Sequence, residues 1–557
     1  MTADHRVGGY NGVYIQTPGA DTTPGASDGV FVFLNGVSTP AFAIGDLVRV
    51  TGVAQENFTV TRINASGAGA QVEVVQAAYG VPAPTNLAST VLGSAREPFE
   101  GMLVRPTGTY KLVSTHNTQN FGELWTSAGS AMPVEAFEQQ APGTTAANNI
   151  TTANNNARLL LDDGYSIRVD NAGHPGDQPY LTKDAVVRNG DNVTFPTGGG
   201  VLTFDFNNWR VQPPTPINDA SPANLKPTFT TANPRPGLTA PAVGGDVTVA
   251  AFNVLNYFTT LTSQNPEARG AATAEQFAIQ KSKIISAING LDADVVALQE
   301  IENSVKLGET PDEALADLVA GLNTAAGGKV WDYVRTPDAL KDAAITDVIT
   351  NAIIFKPAVV KPSGEAKTII DETVWDIARE PIAQTFKYGK TFVTVVANHF
   401  KSKSGTDPTP QTGQDAFNDE RVKQANSLLT FANTLAEGKK NAVYLVGDFN
   451  AYAKEDPIQV FAKAGWTDLV FSKARGQYTY TFDGELGSLD HVIASPAAAD
   501  RVTGVGVWSI NSPEWSQREY WGTAAEAGTP YRSSDHDPIV VGVGSPNPST
   551  KVDIDLV

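Results

Sequence analysis

The feature that most constrains the fold of this chain is a change of hydrophobic rhythm near residue 245. Before it lie short β-rich runs, "GVFVFLNG", "DLVRVTGVA", "NFTVTRI", "AQVEVVQA", "GMLVRPTGTYKLV" and "ARLLLDD", punctuated by Gly, Pro, Asn and Asp. Such spacing predicts an all-β region of barrel or sandwich type. Gly45-Asp46 with "LVRVTG" and "FTVTRI" is echoed by Gly190-Asp191 with "NVTFPTG" and "FDFNNWRVQ", as if one small barrel occurred twice. After residue 245, strand-like runs such as "DVTVAAFNVLNYF", "ADVVALQE", "TFVTVVANH" and "AVYLVGDFN" alternate with helical patterns at "AEQFAIQKSKIISAING", "DEALADLVAGLN" and "DERVKQANSLLTFANTLAEG". That alternation predicts an α/β domain of layered type. Breaks in pattern place β domains at 1–84 and 95–220, a proline-rich linker at 221–244, the α/β domain at 245–545 and a tail at 546–557.

Composition narrows the chemistry. The 557 residues include no cysteine, which excludes disulfides, thiolate metal sites and cysteine nucleophiles. A net charge of −19 argues against an indiscriminate grip on polyanions, so contact with nucleic acid must come from a local patch or from metal ions. No apolar run reaches the roughly 18 residues of a membrane span, and the opening "MTADHRVGGYNGVYIQ" lacks signal-peptide architecture. A strand-like segment begins within a few residues of Met1, which suggests a trimmed start.

Polar residues collect where the strands of the α/β region end. Asn253 interrupts its strand, and Glu300 ends "VVALQE". His399 ends "FVTVVANH", and Asp448 and Asn450 follow "AVYLV". Asp490 precedes "HVIAS", and Asp535 and His536 precede "PIVVGV". Polar groups brought to a sheet rim by separate strands form a site that sequence distance hides. Glu300 and Asp535 are hard oxygen ligands suited to Mg2+, Mn2+ or Ca2+. Asp448 and Asn450 can orient a water and a phosphate oxygen, His399 and His536 can move protons, and Asp490 is the candidate to hold His536. The set suits in-line attack of an activated water on a phosphodiester. Each residue alone has a plainer reading: Asp448 a turn former, Glu302 a solvated acid, His491 a structural histidine facing away from its neighbour Asp490. Asp162 and Asp163 read as turn formers rather than a Ca2+ site.

Together "FNV", "LQE", "NH", "GDFN", "LDHV" and "SDHDP" follow the motif order of the endonuclease/exonuclease/phosphatase superfamily, and the resemblance is to its deoxyribonuclease I and abasic-endonuclease branch. "GVYIQTPGA" with "IGDLVRVTG", "REPFEGMLVRPTG" and "YLVGDFNAYAKEDPI" extend the likeness to secreted bacterial nucleases of the ExeM/NucH type, in which an OB-like domain precedes the catalytic one. The resemblance implies a multidomain chain: OB-like barrels, then a four-layer α/β/β/α sandwich with deoxyribonuclease activity. It implies Glu300 and Asp535 as metal ligands, Asn253 positioning phosphate or metal, Asp448 with Asn450 orienting water and phosphate, and His536 with Asp490 as a dyad. His399 is implied as the second catalytic histidine, with Asp347 its candidate partner. Arg379, Lys401, Lys403 and Arg421, the last one turn from Gln424, are implied as phosphate contacts, so little sequence preference is expected. Mg2+ is the expected cofactor, with Mn2+ an alternative and Ca2+ a structural or activating ion. DNA is the expected substrate, with RNA a second candidate, and a secreted monomer is expected. Two other readings remain open: a phosphoesterase of the same fold acting on phospholipid or inositol phosphate, and a noncatalytic binder of extracellular DNA. Phe58, Phe121, Trp125 and Trp209 are aromatic candidates for a single-strand platform in the β region, where basic residues are sparse.

Overall fold

The computed structural model describes residues 1–19, 25–35, 41–342, 347–407, 413–436 and 441–545; the tail expected at 546–557 lies outside them. The chain divides into two compact units. Met1–Pro133, Asn149–Pro234 and Phe482–Glu485 make the first; Val134–Asn148, Arg235–Thr481 and the residues from Leu486 on make the second.

The first unit is β-rich. Strands Ala3–His5, Gly12–Gln16, Gly29–Phe33, Val60–Asn64 and Val53–Asn57 form one sheet in that order, and Leu47–Thr51 pairs with Gln71–Gln76 beside it. Val13 and Val32 of these strands, with Leu34 and Phe42 from the adjoining loops, make a small core. A larger sheet runs from Thr85–Ala88 at one edge to Thr228–Thr230 at the other. The proline-rich stretch 221–244 thus carries structure: Thr228–Thr230 pairs with Asn192–Thr194 in the first unit, while in the second Arg235 pairs with Glu514 at 2.6 Å.

In chain order the main elements of the second unit are β1 (Val247–Tyr257), α1 (Ala274–Leu291), β2 (Val295–Glu302), α2 (Glu313–Ala325), β3 (Ile349–Phe355), β4 (Arg379–Tyr388), β5 (Thr391–His399), α3 (Asn418–Leu435), β6 (Val443–Asp448), β7 (Asp490–Ala494), β8 (Val502–Val507) and β9 (Ile539–Val543). One sheet carries the order β3-β2-β1-β9-β8 and the other β4-β5-β6-β7, each with short edge strands. The two share a plan: a central parallel pair, β1 with β2 or β5 with β6, flanked on both sides by antiparallel strands. A parallel pair needs a crossover, supplied by α1 in one sheet and α3 in the other.

Side-chain alternation sets the layers. Val249, Ala251, Val295 and Ile353 face Val393, Val395, Tyr444 and Val446 between the sheets. Their neighbours Ala250, Phe252, Val296 and Leu298 face Ile284, Ile288, Leu318 and Leu322 of α1 and α2. On the other side Val396, Val443 and Leu445 face Ala425, Leu428 and Ala432 of α3. The result is a helix, sheet, sheet, helix sandwich. With both faces of each central strand buried, the strands read as unbroken apolar runs rather than alternating ones.

Candidate active site

The carboxyl ends of both parallel pairs open on one rim, and the register there places the polar residues. Across the second sheet Arg379 lies opposite His399, His399 opposite Asp448, and Asp448 opposite Asp490, a row spanning four strands. The first sheet contributes Asn253 and Glu300. Its pairing is irregular here: the β1–β2 register slips after Asn253 and the β2–β3 register between Leu298 and Ile301. Leu255, Asn256 and Glu300 all adopt positive φ, at 54°, 56° and 62°. Non-glycine residues rarely occupy this region, and such strain collects where a side chain must be re-aimed. Here it turns the Glu300 carboxylate onto the rim, where Oε1 accepts from Asn253 Nδ2 at 3.1 Å and Oε2 from the Asn256 amide at 3.0 Å.

Asp448 sits at the centre. Its Oδ2 accepts from Asn253 Nδ2 at 3.3 Å and lies 3.5 Å from His399 Nε2 and 3.9 Å from His536 Nε2. Its Oδ1 accepts from the Asn450 amide at 2.8 Å, and Asn450, at φ 47°, donates through Nδ2 to the Phe400 carbonyl at 3.2 Å. Burial pushes the Asp448 carboxyl up to about 7, with Asp490 and Glu300 adding to the rise and His536 opposing it.

His536 is clamped. Its Nδ1 lies 2.7 Å from Asp490 Oδ2, and the Tyr480 ring packs on it with centroids 4.6 Å apart. Burial disfavours the imidazolium, but Asp490, Asp535 and Asp448 together hold its pKa well above the ordinary value. His399 behaves oppositely. Burial and the Arg379 guanidinium hold it well below the ordinary range, so it is uncharged at neutral pH.

Asp448, Asp490 and His536 lie close enough to share a metal ion. A protonated His536 offers no lone pair, however, and Asp490 is committed to it. The oxygen-only pair Glu300 and Asp535 fits a hard divalent cation better. Burial and the nearby Asp535 charge raise the Glu300 pKa, a strain that a cation held by the two carboxylates would relieve.

The structure thus gathers Asn253, Glu300, Arg379, His399, Asp448, Asn450, Asp490, Asp535 and His536 on one rim. Other expectations are corrected. Asp347 does not orient His399; its carboxylate lies 3.3 Å from Arg269 and 3.8 Å from Arg379. Arg421 is no surface phosphate contact. It is fully buried, donating to the carbonyls of Gln414 at 2.9 Å and Ala416 at 2.7 Å, with those of Lys401 and Ser402 also within reach of its guanidinium. Lys403 is held by the buried Glu455, both of whose oxygens lie at 2.7 Å. Gln424 accepts from the Lys401 amide at 2.9 Å, while Lys401 Nζ rests 4.5 Å over the Phe417 ring. Glu302 is buried rather than solvated and accepts from the Thr260 amide at 2.8 Å. His491 is structural as expected, fully buried between Asp468 and the Ala451 carbonyl.

Some site residues lack a sequence signal. Asn511 holds the 533–536 turn, accepting from the Ser533 amide at 2.9 Å and donating to the His536 carbonyl at 2.7 Å. Tyr480 reaches His536 from a distant short strand. Arg269, half-exposed beside Asp347, adds a third cation to Arg379 and Lys401. Asn256 alone is signalled, as the second asparagine of "NVLN".

A model described as the Endonuclease/Exonuclease/phosphatase family matches residues 250–536. No curated protein matches the chain. Among solved structures, an endonuclease/exonuclease/phosphatase from Bacteroides vulgatus is 16% identical, covering 53% of this chain and 97% of its own, with a TM-score of 0.35. The mannosyl-6-phosphatase of Bacteroides thetaiotaomicron is 18% identical over 53% of this chain and 99% of its own, with a TM-score of 0.35. D. rerio TDP2, complexed with single strand DNA product, is 16% identical over 53% and 97%, with a TM-score of 0.34.

Proposed function

The chain belongs to the endonuclease/exonuclease/phosphatase family, and on that premise we propose that it is a divalent-metal-dependent nuclease that hydrolyses DNA phosphodiester bonds internally and with little sequence preference. The observation that carries the reading is the in-register row Arg379, His399, Asp448 and Asp490, set against Asn253 and Glu300 and closed by His536.

In this reading a scissile phosphate lies over the rim formed by His536, Asp448 and Asn450. Asp448, whose pKa near neutrality suits a general base, takes the proton of the attacking water, and Asn450, anchored to the Phe400 carbonyl, holds a phosphoryl oxygen. The His536 imidazolium, oriented by Asp490, donates from Nε2 to the charge that develops on the phosphoryl oxygens, while the P–O bond opposite the attacking water breaks and the departing sugar oxygen takes a proton from solvent. Uncharged His399 supplies a second hydrogen bond beside Asp448. Arg379, Lys401 and Arg269 grip backbone phosphates, which carry no base information. Glu300 and Asp535, with Asn253 alongside, would hold Mg2+ or Mn2+, which would supply Lewis-acid charge compensation at the phosphate. We assign extracellular DNA as the substrate pool, a monomer as the working form and OB-like barrels to the first unit, on the resemblance to secreted nucleases.

The test is cleavage of closed circular plasmid, linear duplex, single-stranded DNA and RNA with Mg2+, Mn2+, Ca2+ or EDTA, comparing the unaltered chain with His536→Ala. Metal-dependent nicking of the closed circle that is lost in the variant is the expected result. Turnover of a phospholipid or inositol phosphate with every nucleic acid left intact would overturn the nuclease reading in favour of a phosphoesterase. DNA binding with no turnover of any phosphoester would overturn it in favour of a noncatalytic binder.

A further inference from the structure

The first unit contains a cavity of about 580 Å3 that plays no part in the chemistry above. Two hairpin tips frame it. Strands Val53–Asn57 and Val60–Asn64 are joined by Phe58 and Thr59, and strands Gly200–Asp205 and Asn208–Gln212 by Phe206 and Asn207. Two-residue turns with positive φ at both positions normally use Asn or Gly. Here the leading residue of each is a phenylalanine, at φ 50° and 47°. The two rings stack with centroids 5.8 Å apart and an interplanar angle of 20°, yet remain 71% and 67% exposed. Core packing therefore does not explain them. Tyr10, Tyr14 and Phe31 extend the aromatic lining inward.

The cavity is short of positive charge. Glu123 and Asp162 lie 2.8 and 2.7 Å from Arg210 Nη1, and Asp205 pairs with the same guanidinium. Three carboxylates thus share one arginine. The other cation lining the cavity, Arg62, is occupied over the Phe33 ring, 4.5 Å from its centroid. Glu123 Oε2 accepts from Asn117 and Trp125, and Asp162 Oδ1 from the Gly164 amide. The Asp205 side chain is only 7% exposed and, among the described residues, has no partner beyond its ion pair with Arg210. Burial pushes its carboxyl up to about 7. A buried acid in surplus over its counter-ions, under a roof of exposed aromatic faces, offers what a desolvated cation needs: a charge partner and π faces. Phosphates and other anions are repelled by the same acids.

We infer that this cavity binds a small organic cation, an alkylammonium or guanidinium head seated at Asp205 with its carbon skeleton between Phe58, Phe206 and Tyr10. The site stands apart from the nuclease reading, and its test uses no turnover as primary readout. The full chain is titrated calorimetrically with spermidine and with agmatine, with adenosine and cellobiose as neutral flat ligands. Saturable one-to-one cation binding is expected. Phe206→Ala changes no charge and removes an exposed ring, so it should fold normally and weaken binding about fivefold or more. Asp205→Asn should weaken it about tenfold or more. DNA cleavage by Phe206→Ala should be unchanged. Cation binding of equal strength in Phe206→Ala would mean diffuse attraction to an acidic protein and overturn the proposal. Tighter binding of adenosine or cellobiose, or no saturable binding of either cation, would also overturn it.

Discussion

At the scale of single residues, two adjacent positions on β7 do opposite work with the same chemistry. Asp490 faces the rim and holds His536 by Nδ1, fixing the ring so that Nε2 is left for substrate. Asp490→Asn keeps the shape but removes the charge that sustains the imidazolium. The expected outcome is a kcat lowered by about 10²–10³ with KM little changed, because the lost interaction belongs to the transition state. Steady-state kinetics on a defined duplex, with circular dichroism to confirm folding, checks it. His491 points the other way. Its Nδ1 lies 2.8 Å from Asp468 Oδ2 and its Nε2 2.8 Å from the Ala451 carbonyl, so both nitrogens face acceptors and the ring is held as imidazolium. Burial opposes the charge, but Asp468 wins and raises the pKa from 6.5 to about 9. A raised folded-state pKa gives stability that is fully present below pH 6.5 and is lost as pH rises through 9. The loss should be about 3 kcal/mol. Urea midpoints measured from about pH 6 to 9.5 should fall across that window in the unaltered chain and stay flatter in His491→Gln.

At the scale of elements, the site depends on β5 and β6 lying close at their ends. Gly447, at φ 142°, makes this approach feasible: a Cβ there would run into the Asn398 carbonyl across the pair. Gly447→Ala should cost about 2–3 kcal/mol and depress activity by shifting Asp448 against His399, a result that thermal melting and plasmid cleavage would show together. Arg421 does the same for the segment after β5. Replacing it by Met takes the Arg421 donor from the Ala416 carbonyl and one of two donors, the other being Lys403 Nζ, from the Gln414 carbonyl, at a cost of about 2–4 kcal/mol. Because that segment carries Lys401, the expected kinetic signature is a raised KM with a smaller change in kcat. Polar residues ending apolar runs are legible in the sequence itself, since a strand buried on both faces tolerates Glu300 or Asp448 only where it reaches the rim. Arg421 is not legible. On a helix with its charge one turn from Gln424 it has the pattern of a solvated face, and nothing nearby announces that the carbonyls of Lys401, Ser402, Gln414 and Ala416 surround it. Asp347 misleads for a related reason: its neighbours are fixed by the pairing of β4 with β5 at Arg379, not by local sequence.

At the scale of the whole molecule, a net charge of −19 is compatible with the proposed polyanionic substrate because the cations that matter would be local: Arg269, Arg379 and Lys401 on the chain, and a divalent ion that Glu300 and Asp535 would hold. Metal binding, as proposed, would therefore also be a stability term. A saturating Mg2+ concentration about a hundredfold above Kd should stabilise the second unit by about 2.7 kcal/mol. In the absence of metal, Glu300→Gln trades the repulsion from Asp535 against the loss of one of two acceptors, so it should melt close to the unaltered chain, and it should lose the Mg2+ increment.

The division into units carries one more consequence, hidden from pattern reading because it joins segments roughly 300 residues apart. Residues 134–148 belong to the second unit although they precede its body in sequence. Within it the Glu138 carboxylate, 5% exposed as a residue, accepts from the Ser488 amide at 3.2 Å and the Ala453 amide at 3.5 Å, and the Phe137 carbonyl accepts from Lys454 at 2.8 Å. Those three donors flank the Asp448–Asn450 turn and the start of β7. A catalytic fragment beginning at residue 235 leaves them without acceptors beside Asp490. It should melt lower than the second unit of the full chain and cut DNA more slowly, while a fragment in which residues 134–148 are fused ahead of 235 through a flexible linker should recover both. If the shorter fragment matches the full chain in melting temperature and kcat, residues 134–148 are dispensable and the sequence-based boundary at 245 is the functional one.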